Sequence, residues 1–456
     1  MRMTAEEIAR ACGGKILLGR PETEVTSVAA DSREVKPGAL FVPIVGEKTD
    51  AHDYIGRAFG AGAAATLTQE PGRDGKNGVW IAVEDTRDAL QSIAAAWRAG
   101  FSGPVVGITG SVGKTTTKEM TALALSAGRK VMKTEGNQNS QIGLPLTMFR
   151  LSPEYEAAVV EMGMSEFGEM GRIARVAAPD YAVVTNIGFS HIGNLKTQDN
   201  ILKEKLHITD RFHEGSVLFL NGDDPMLAAL RGRLPFQVVY YGTRPWCDFR
   251  AENVRIGPES SAFRYVAPSG EPGELRLPVP GMHCVLDALA GLAVAAQLGV
   301  PPARAAKALE GYRTLAMRMQ IRKVNGVTVI DDSYNSSPDA AKSSIGVLCG
   351  FRGGKRVAVL ADMLELGDLS RQAHFDLGRF AAEAGVGVLV TVGKEAAAIA
   401  EGARSAGRGV DCCVCADNAQ ALGALKDILA PGDAVLVKGS RGMKTDEIVR
   451  KIPQIC

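Results

Sequence analysis

Short runs of β-branched and aliphatic residues recur along this chain. Most lead into a glycine-bearing or acidic loop, then into apolar residues spaced for one face of a helix. In the first hundred residues the stretches 24–30, 38–44, 63–67 and 79–83 read as strands. Stretches 4–12, 54–60 and 88–97 read as helices, the first opened by Thr4 and Glu7 at capping-box spacing. The segment 99–104 (Ala-Gly-Phe-Ser-Gly-Pro) reads as a linker. Beyond it, strands are expected at the run from Val105 and at 130–134, 157–163, 181–187, 217–221 and 238–242. A more β-rich stretch follows to about residue 280, then an Ala- and Leu-rich buried helix over 281–298. A helix is also expected over 199–211. From about residue 313, strands at 327–330, 356–360, 388–392 and 434–437 alternate with helices. The pattern predicts an α/β protein of three domains: 1–98, a central parallel-sheet domain over 99–312, and a Rossmann-like open sheet over 313–456.

The run from Val105 gives the central domain its chemistry. It enters Thr109-Gly110-Ser111-Val112-Gly113-Lys114-Thr115-Thr116 and then a helical pattern through Met120, Leu123 and Leu125. Strand, glycine loop and helix start together let backbone N–H groups close on phosphate oxygens, with the helix dipole favouring anions. Lys114 is placed for a β- or γ-phosphate, and the Thr115 hydroxyl for Mg²⁺. The common P-loop pattern wants a glycine where Ile108 stands, so the loop reads as T-G-x-x-G-K-T-T. Glu161 closes the strand at 157–163, where α/β proteins place a second magnesium ligand. His191 follows the strand at 181–187 and is either a ligand or structural. Asp31-Ser32-Arg33 is either an anion receptor or an ordinary turn, and Asn137 and Asn139 are either ligand-facing amides or turn residues.

Charge narrows the classes. Lys and Arg number 52 against 51 Asp and Glu, so no bulk charge points to nucleic acid or an anionic membrane. The first residues lack a signal-like apolar core and no run suits a bilayer span, so a cytoplasmic protein without membrane insertion is expected. Of eight cysteines, Cys412, Cys413 and Cys415 cluster without zinc-ligand spacing and are expected to be reduced thiols. No guanine-specifying N-K-x-D appears, which removes the GTPase reading. Kinase, ligase and nucleotide-gated binding module remain on physical grounds.

The residues also carry a resemblance. The phosphate loop, Glu161, Thr185-Asn186 with His191, Lys205, Gly281-x-His283 and Arg318 together resemble the Mur ligase family. Within it, Phe41-Val42-Pro43 with Asp50-Ala51-His52-Asp53, Asp331-Asp332-Ser333-Tyr334-Asn335, Ala361-Asp362-Met363-Leu364-Glu365-Leu366-Gly367 with His374, and Lys438-Gly439-Ser440-Arg441 resemble the branch that adds D-Ala-D-Ala. The tripeptide-forming branch and folylpolyglutamate synthase-like ligases are the alternatives. The resemblance implies ATP-dependent amide ligation through an acyl phosphate, with UDP-MurNAc-tripeptide and D-Ala-D-Ala as substrates, ATP and two Mg²⁺ ions as cofactors, and a monomer.

The resemblance also implies roles. The central domain would be the ATPase, its nucleotide held by Thr109, Gly110, Ser111, Val112, Gly113, Lys114, Thr115 and Thr116. Thr115 and Glu161 would hold one Mg²⁺. His191 and Lys205 would hold the second, Lys205 standing where the family carries a carbamylated lysine and Lys203 being the competing assignment. Arg318 and Asp332 would reach ATP from the third domain. Asn137 and Asn139 would face the UDP-sugar. Ser27, Asp31, Ser32, Arg33 and His52 would line a UDP pocket in the first domain, and Tyr334, Asn335 and Arg441 would receive D-Ala-D-Ala. Ser140, His207, Cys284 and Asp287 depart from the family pattern, the last two at the expected adenine contacts.

Overall fold

A computed structural model describes residues 1–46, 48–70, 77–268, 270 and 272–456. Three larger sheets organise them. The first has strand order Lys15–Leu18, Val79–Ala82, Ala65–Thr68, Ala39–Phe41, Ser27–Ala29, parallel except at the first pair. The expected strand at 24–30 is split. Glu24–Val25 pairs with Met3–Thr4 in a separate ribbon, and Ser27–Ala29 joins the larger sheet. The two halves pair with different partners, so pairing and not propensity sets the break. The Thr4–Glu7 capping box forms as expected.

The central sheet has nine strands. From one edge they run Pro272–Leu277, Ser261–Val266, Phe249–Ile256, Gln237–Gly242, Val217–Asn221, Tyr181–Val184, Val105–Thr109, Ala157–Glu161 and Val131–Lys133. The seven from Phe249–Ile256 onward are mutually parallel, and Val217–Asn221, Val105–Thr109 and Ala157–Glu161 among them are buried throughout, as central strands of a parallel sheet are. The two at the other edge add antiparallel, and with Phe249–Ile256 they form the β-rich stretch read from the sequence. The chain leaves Val105–Thr109 for the far edge, returns beside it as Ala157–Glu161, then crosses to its other side as Tyr181–Val184. That reversal opens a crevice at the carboxyl end of Val105–Thr109, where ligands of such sheets sit.

The helix Met282–Gln297 is apolar on most of its surface and correspondingly buried. It lies against the phosphate-loop helix Lys114–Ser126, and Gly291 permits the approach: a Cβ there would lie 3.2 Å from the Met120 carbonyl carbon. The linker is pinned by Arg98, whose buried guanidinium donates to the carbonyls of Ala177 (2.9 Å), Phe101 (3.0 Å) and Ala178 (3.1 Å) and to Asp180 Oδ2 (3.0 Å).

The third sheet runs Gln320–Val324, Val327–Asp331, Ala434–Lys438, Arg356–Ala361, Val388–Val392, Asp411–Cys415, all parallel but the first pair. Cys412, Cys413 and Cys415 lie on its edge strand as free thiols. On one face, helices Ser370–Ala384 and Ala397–Ser405 touch backbone to backbone. A Cβ on Gly378 would stand 1.9 Å from the Ile399 carbonyl oxygen, and one on Gly402 equally close to that of Phe375. Neither neighbour is a side chain that can swing away. Gly378→Val is therefore expected to cost about 3 kcal/mol or more, lowering the first calorimetric unfolding transition by roughly 10 °C.

Candidate active site

The strand Val105–Thr109 ends in Gly110, at φ +149°, where a Cβ would fall 1.8 Å from Thr185 Oγ1. Gly113, at φ +84°, then caps Lys114–Ser126. Both positions accept glycine far more readily than any other residue. The loop between them is braced from Thr185 and Asn186. Asn186 accepts from Val112 N (3.0 Å) and donates to Val112 O (3.0 Å), Thr185 Oγ1 donates to Val112 O (2.5 Å), and Ser111 N donates to Asn186 O (3.0 Å). The Lys114 side chain folds back so that Nζ donates to Gly110 O (2.9 Å) and Ser111 O (3.3 Å). Burial pushes its ammonium below the usual lysine range, against the pull of Glu161.

Thr115 Oγ1 donates to Glu161 Oε2 at 2.9 Å, and Asn139 Nδ2 holds the other carboxylate oxygen at 2.7 Å. Arg318 crosses from the third sheet's side to place Nη2 3.3 Å from Thr115 Oγ1. Among the described residues no three His, Cys, Asp or Glu side chains converge. A hydroxyl beside one carboxylate is what suits Mg²⁺, which takes one or two protein oxygens and completes its shell with phosphate and water.

Lys205, on Gln198–Leu206, is 1 % exposed and has no hydrogen bond or ion pair among the described residues, whereas Lys203 is exposed. Burial, aided by the nearby Lys114 charge, holds the Lys205 ammonium well below the usual lysine range. It does not line the cleft itself. His191, at φ +63°, does, with Nδ1 2.7 Å from Glu365 Oε2. That contact holds the Glu365 carboxyl below its usual range.

The cleft measures about 990 Å³ and gathers Ser111 to Thr116, Asn137, Asn139, Glu161, His191, Arg318, Asp332, Tyr334, Asn335 and Arg441. Thr109 and Gly110 stand behind it. Arg318 lies 3.8 Å over the Tyr334 ring and Arg441 5.9 Å from the same centroid. Asp332 is already occupied: Lys438 Nζ (2.5 Å), Ser344 Oγ (2.7 Å) and Met319 N (3.1 Å) donate to it.

The first-domain candidates are not brought to this cleft. Ser27 is paired in its strand and Ser32 is buried in the following turn. Arg33 grips Asp31 with Nε at 2.9 Å and Nη2 at 2.5 Å, and this pairing lowers the Asp31 carboxyl to about 2. His52 is buried with both ring nitrogens engaged: Nδ1 lies 2.6 Å from Asp50 Oδ1, and Nε2 accepts from Gln69 N at 3.1 Å. In this arrangement it braces the first sheet and offers no free ring atom to a ligand.

Three stretches match known family models: the Mur ligase family catalytic domain over 24–98, the Mur ligase middle domain over 108–295, and the Mur ligase glutamate ligase domain over 317–441. The chain is 37 % identical to the Bacillus subtilis UDP-N-acetylmuramoyl-tripeptide--D-alanyl-D-alanine ligase, covering 99 % of this chain and 98 % of that one. This chain belongs to the Mur ligase family. The Escherichia coli enzyme of the same name is 32 % identical over 94 % of both chains. A crystal structure of MurF from Acinetobacter baumannii superposes with a TM-score of 0.92 at 29 % identity, over 100 % of this chain and 99 % of that one. MurF ligase from Thermotoga maritima, in complex with ADP, gives 0.83 at 29 % identity, covering 94 % and 97 %. The three-domain α/β architecture is that of these Mur ligases.

Asp287 gains a place that the sequence pattern gave only as a departure. Its Oδ1 accepts from Thr117 Oγ1 at 2.7 Å, while Oδ2 is buried at the cleft wall with no partner. Burial lifts the carboxyl from 3.8 to about 7. The folded state then binds the extra proton between those values, so this group's stabilising contribution is lost as pH rises through about 7. In this Mur ligase, Asp287→Asn keeps the Thr117 bond and removes the charge. Without nucleotide, the variant should gain about 2 kcal/mol on wild type between pH 5 and 8, read from denaturation at each pH.

Proposed function

We propose that this chain joins D-alanyl-D-alanine to UDP-MurNAc-tripeptide at the expense of ATP, giving UDP-MurNAc-pentapeptide, ADP and phosphate in peptidoglycan precursor synthesis. The carrying observation is the meeting of Lys114, Thr115, Glu161 and Arg318 in one cleft, in a chain alike over its full length to ligases of that name. The division at 1–98, 99–312 and 313–456 is then functional: UDP-sugar, ATP and incoming amine.

A carboxylate and an ammonium do not condense unaided at neutral pH. The tripeptide carboxylate oxygen attacks the γ-phosphorus, ADP departs, and an acyl phosphate forms. The D-Ala-D-Ala amine, having lost a proton, attacks the acyl carbon and phosphate departs. Approach of one anion to another sets the first barrier, so preorganised positive charge is the main catalytic contribution. The loop N–H groups and Lys114 bind the β- and γ-phosphates. Arg318 adds charge from the third domain, and Asn139 fixes the Glu161 carboxylate. Thr115 and Glu161 would hold Mg²⁺, which supplies charge neutralisation at the phosphates. His191 and Lys205 are the candidates for a second ion. Lys205 fits the carbamylation that the family resemblance implies, since its depressed ammonium favours the neutral amine that adds CO₂. Arg441, beside Tyr334 and Asn335, suits the dipeptide carboxylate.

No helix of the described residues is long and apolar enough to cross a membrane. A monomer working in the cytoplasm, where ATP is supplied, completes the proposal.

The test is a mass spectrum of products with phosphate release from ATP, Mg²⁺, UDP-MurNAc-tripeptide and D-Ala-D-Ala. The pentapeptide product is expected, with loss of roughly 1,000-fold in kcat for Lys114→Ala and at least ~100-fold for Lys205→Ala. Phosphate release with a dicarboxylic amino acid but none with D-Ala-D-Ala would overturn the assignment.

A further inference from the structure

A second hollow, of about 310 Å³, opens between the helix Glu169–Ala177 and the turn His207–Thr209, and it shares no lining residue with the cleft. Three guanidinium groups line it: Arg172 and Arg175, one turn apart on the helix, and Arg211 just past the turn. Gly168 and Gly171 line it with backbone alone. None of the three guanidinium groups makes a hydrogen bond, ion pair or ring contact among the described residues, and Arg172 Nε is buried with no partner. The acids around them are committed elsewhere. Glu204 accepts from the N–H groups of Gly168 and Met170, both at 3.0 Å, and so closes the helix start. Glu169 accepts from Ser165 N at 2.6 Å and from Gln141 Nε2 at 2.7 Å. Asp210 is the one acid lining the hollow among the described residues, and both its oxygens lie 3.1 Å from His207 Nδ1.

We propose that this hollow is a binding site for a small phosphate-class anion, up to the size of pyrophosphate, separate from the nucleotide cleft. Three like charges held round one concavity repel one another, and salt screens them only in part. An oxyanion with two or more charges removes that repulsion. It also supplies the paired acceptors that a guanidinium fork takes. Glu204 already holds N–H groups at the helix start, so side chains carry the recognition. They read charge and the geometry at phosphorus, with no group placed to read a base or a sugar. The volume lies at the lower end of ligand-binding clefts and suits phosphate or pyrophosphate better than a whole nucleotide. The lining holds no apolar side chain, which favours a free anion over a phospholipid surface. Two of the arginines come from the helix and the third from the segment after it, so a bound anion ties Glu169–Ala177 to the stretch that follows Lys205. None of this depends on the ligase reading.

Pyrophosphate is the probe, with the full chain in chelator so that no metal complex forms. Lys114→Ala weakens binding in the nucleotide cleft, so calorimetry on that variant reads the second site. One pyrophosphate per chain is expected, with affinity falling as KCl is raised. Adding Arg172→Gln, Arg175→Gln and Arg211→Gln should lower that affinity at least about 10-fold. Arg175 and Arg211 are exposed and Arg172 half-buried, so the pair Arg175→Gln with Arg211→Gln replaces the triple variant if that one melts early. Phenylglyoxal labelling, read by peptide mass spectrometry, locates the site. Saturating pyrophosphate should slow modification of Arg175 and Arg211 at least about fivefold and leave the exposed Arg233 unchanged. Inorganic phosphate should give the same pattern at higher concentration. Loss of all binding with Lys114→Ala, equal affinity with and without the arginines, or no protection at Arg175 and Arg211 overturns the proposal. Sedimentation with anionic phospholipid vesicles that needs these arginines, without protection by free pyrophosphate, would replace the anion by a lipid surface.

Discussion

One contact carries the site: the Thr115 hydroxyl on the Glu161 carboxylate, 2.9 Å apart. Thr115 lies in the first turn of the helix that follows Val105–Thr109, Glu161 ends the strand beside it, and pairing register puts them together. Glu161 stands opposite Ile108 in a parallel pair, so it ends its strand level with the start of the glycine loop. A slip of one residue would turn the carboxylate to the opposite face and break the contact. The apolar run 157–160, buried without exception, fixes that register by the area it removes from water. The phosphate loop is therefore only half of the site. Core packing supplies the other half by placing one acid.

That division explains what could be read from the chain. The loop, the strand ends and the carboxylate are local patterns in which residue type and spacing follow from backbone needs. They appear in the structure as expected. On the helix Gln198–Leu206 the chain buries Lys205 and exposes Lys203, since helical spacing sends one inward and its neighbour two places away outward. Other features depend on partners that sequence order conceals. The break at Thr26 arises because the flanking residues join two sheets. Arg33 and His52 look like free recognition groups until Asp31 and Asp50, each two residues upstream, are seen to engage them. Short-range acids of this kind are visible in the sequence, but whether they pair or stand apart is decided by the turn. Glu365 is the opposite case. It lies inside a stretch that resembles the family, yet its contact is with a residue far away in sequence on another domain, and nothing local marks it.

The cleft's charges share one logic. Lys438 is spent on Asp332, a nearly buried pair whose geometry is completed by Ser344 and the Met319 N–H. Glu161 is shared among Thr115, Asn139 and the field of Lys114. Against these, Arg318 lies over the Tyr334 ring with no carboxylate partner among the described residues, while Arg441, farther from the same ring, pairs with Asp446 Oδ1 at 3.4 Å. Arg318 is thus the cation left uncompensated at the cleft, and multiply charged phosphates are the natural counterweight to it.

An acyl phosphate is open to water, so a site that makes one must be complete when the intermediate forms and closed until the amine has reacted. The arrangement meets both needs by splitting the machinery. The central sheet holds the phosphate loop, Thr115 and Glu161 rigidly. Arg318, Tyr334 and Arg441 reach the cleft from the side of the third sheet. Because segment 186–195 braces Ser111 on one side and receives Glu365 on the other, the docking surface and the phosphate cradle are one continuous piece of backbone. At Gly193 and Gly367 the two backbones meet directly: a Cβ on Gly193 would stand 2.9 Å from the Glu365 carbonyl oxygen and one on Gly367 3.0 Å from Gly193 Cα, so a side chain at either would push this contact apart.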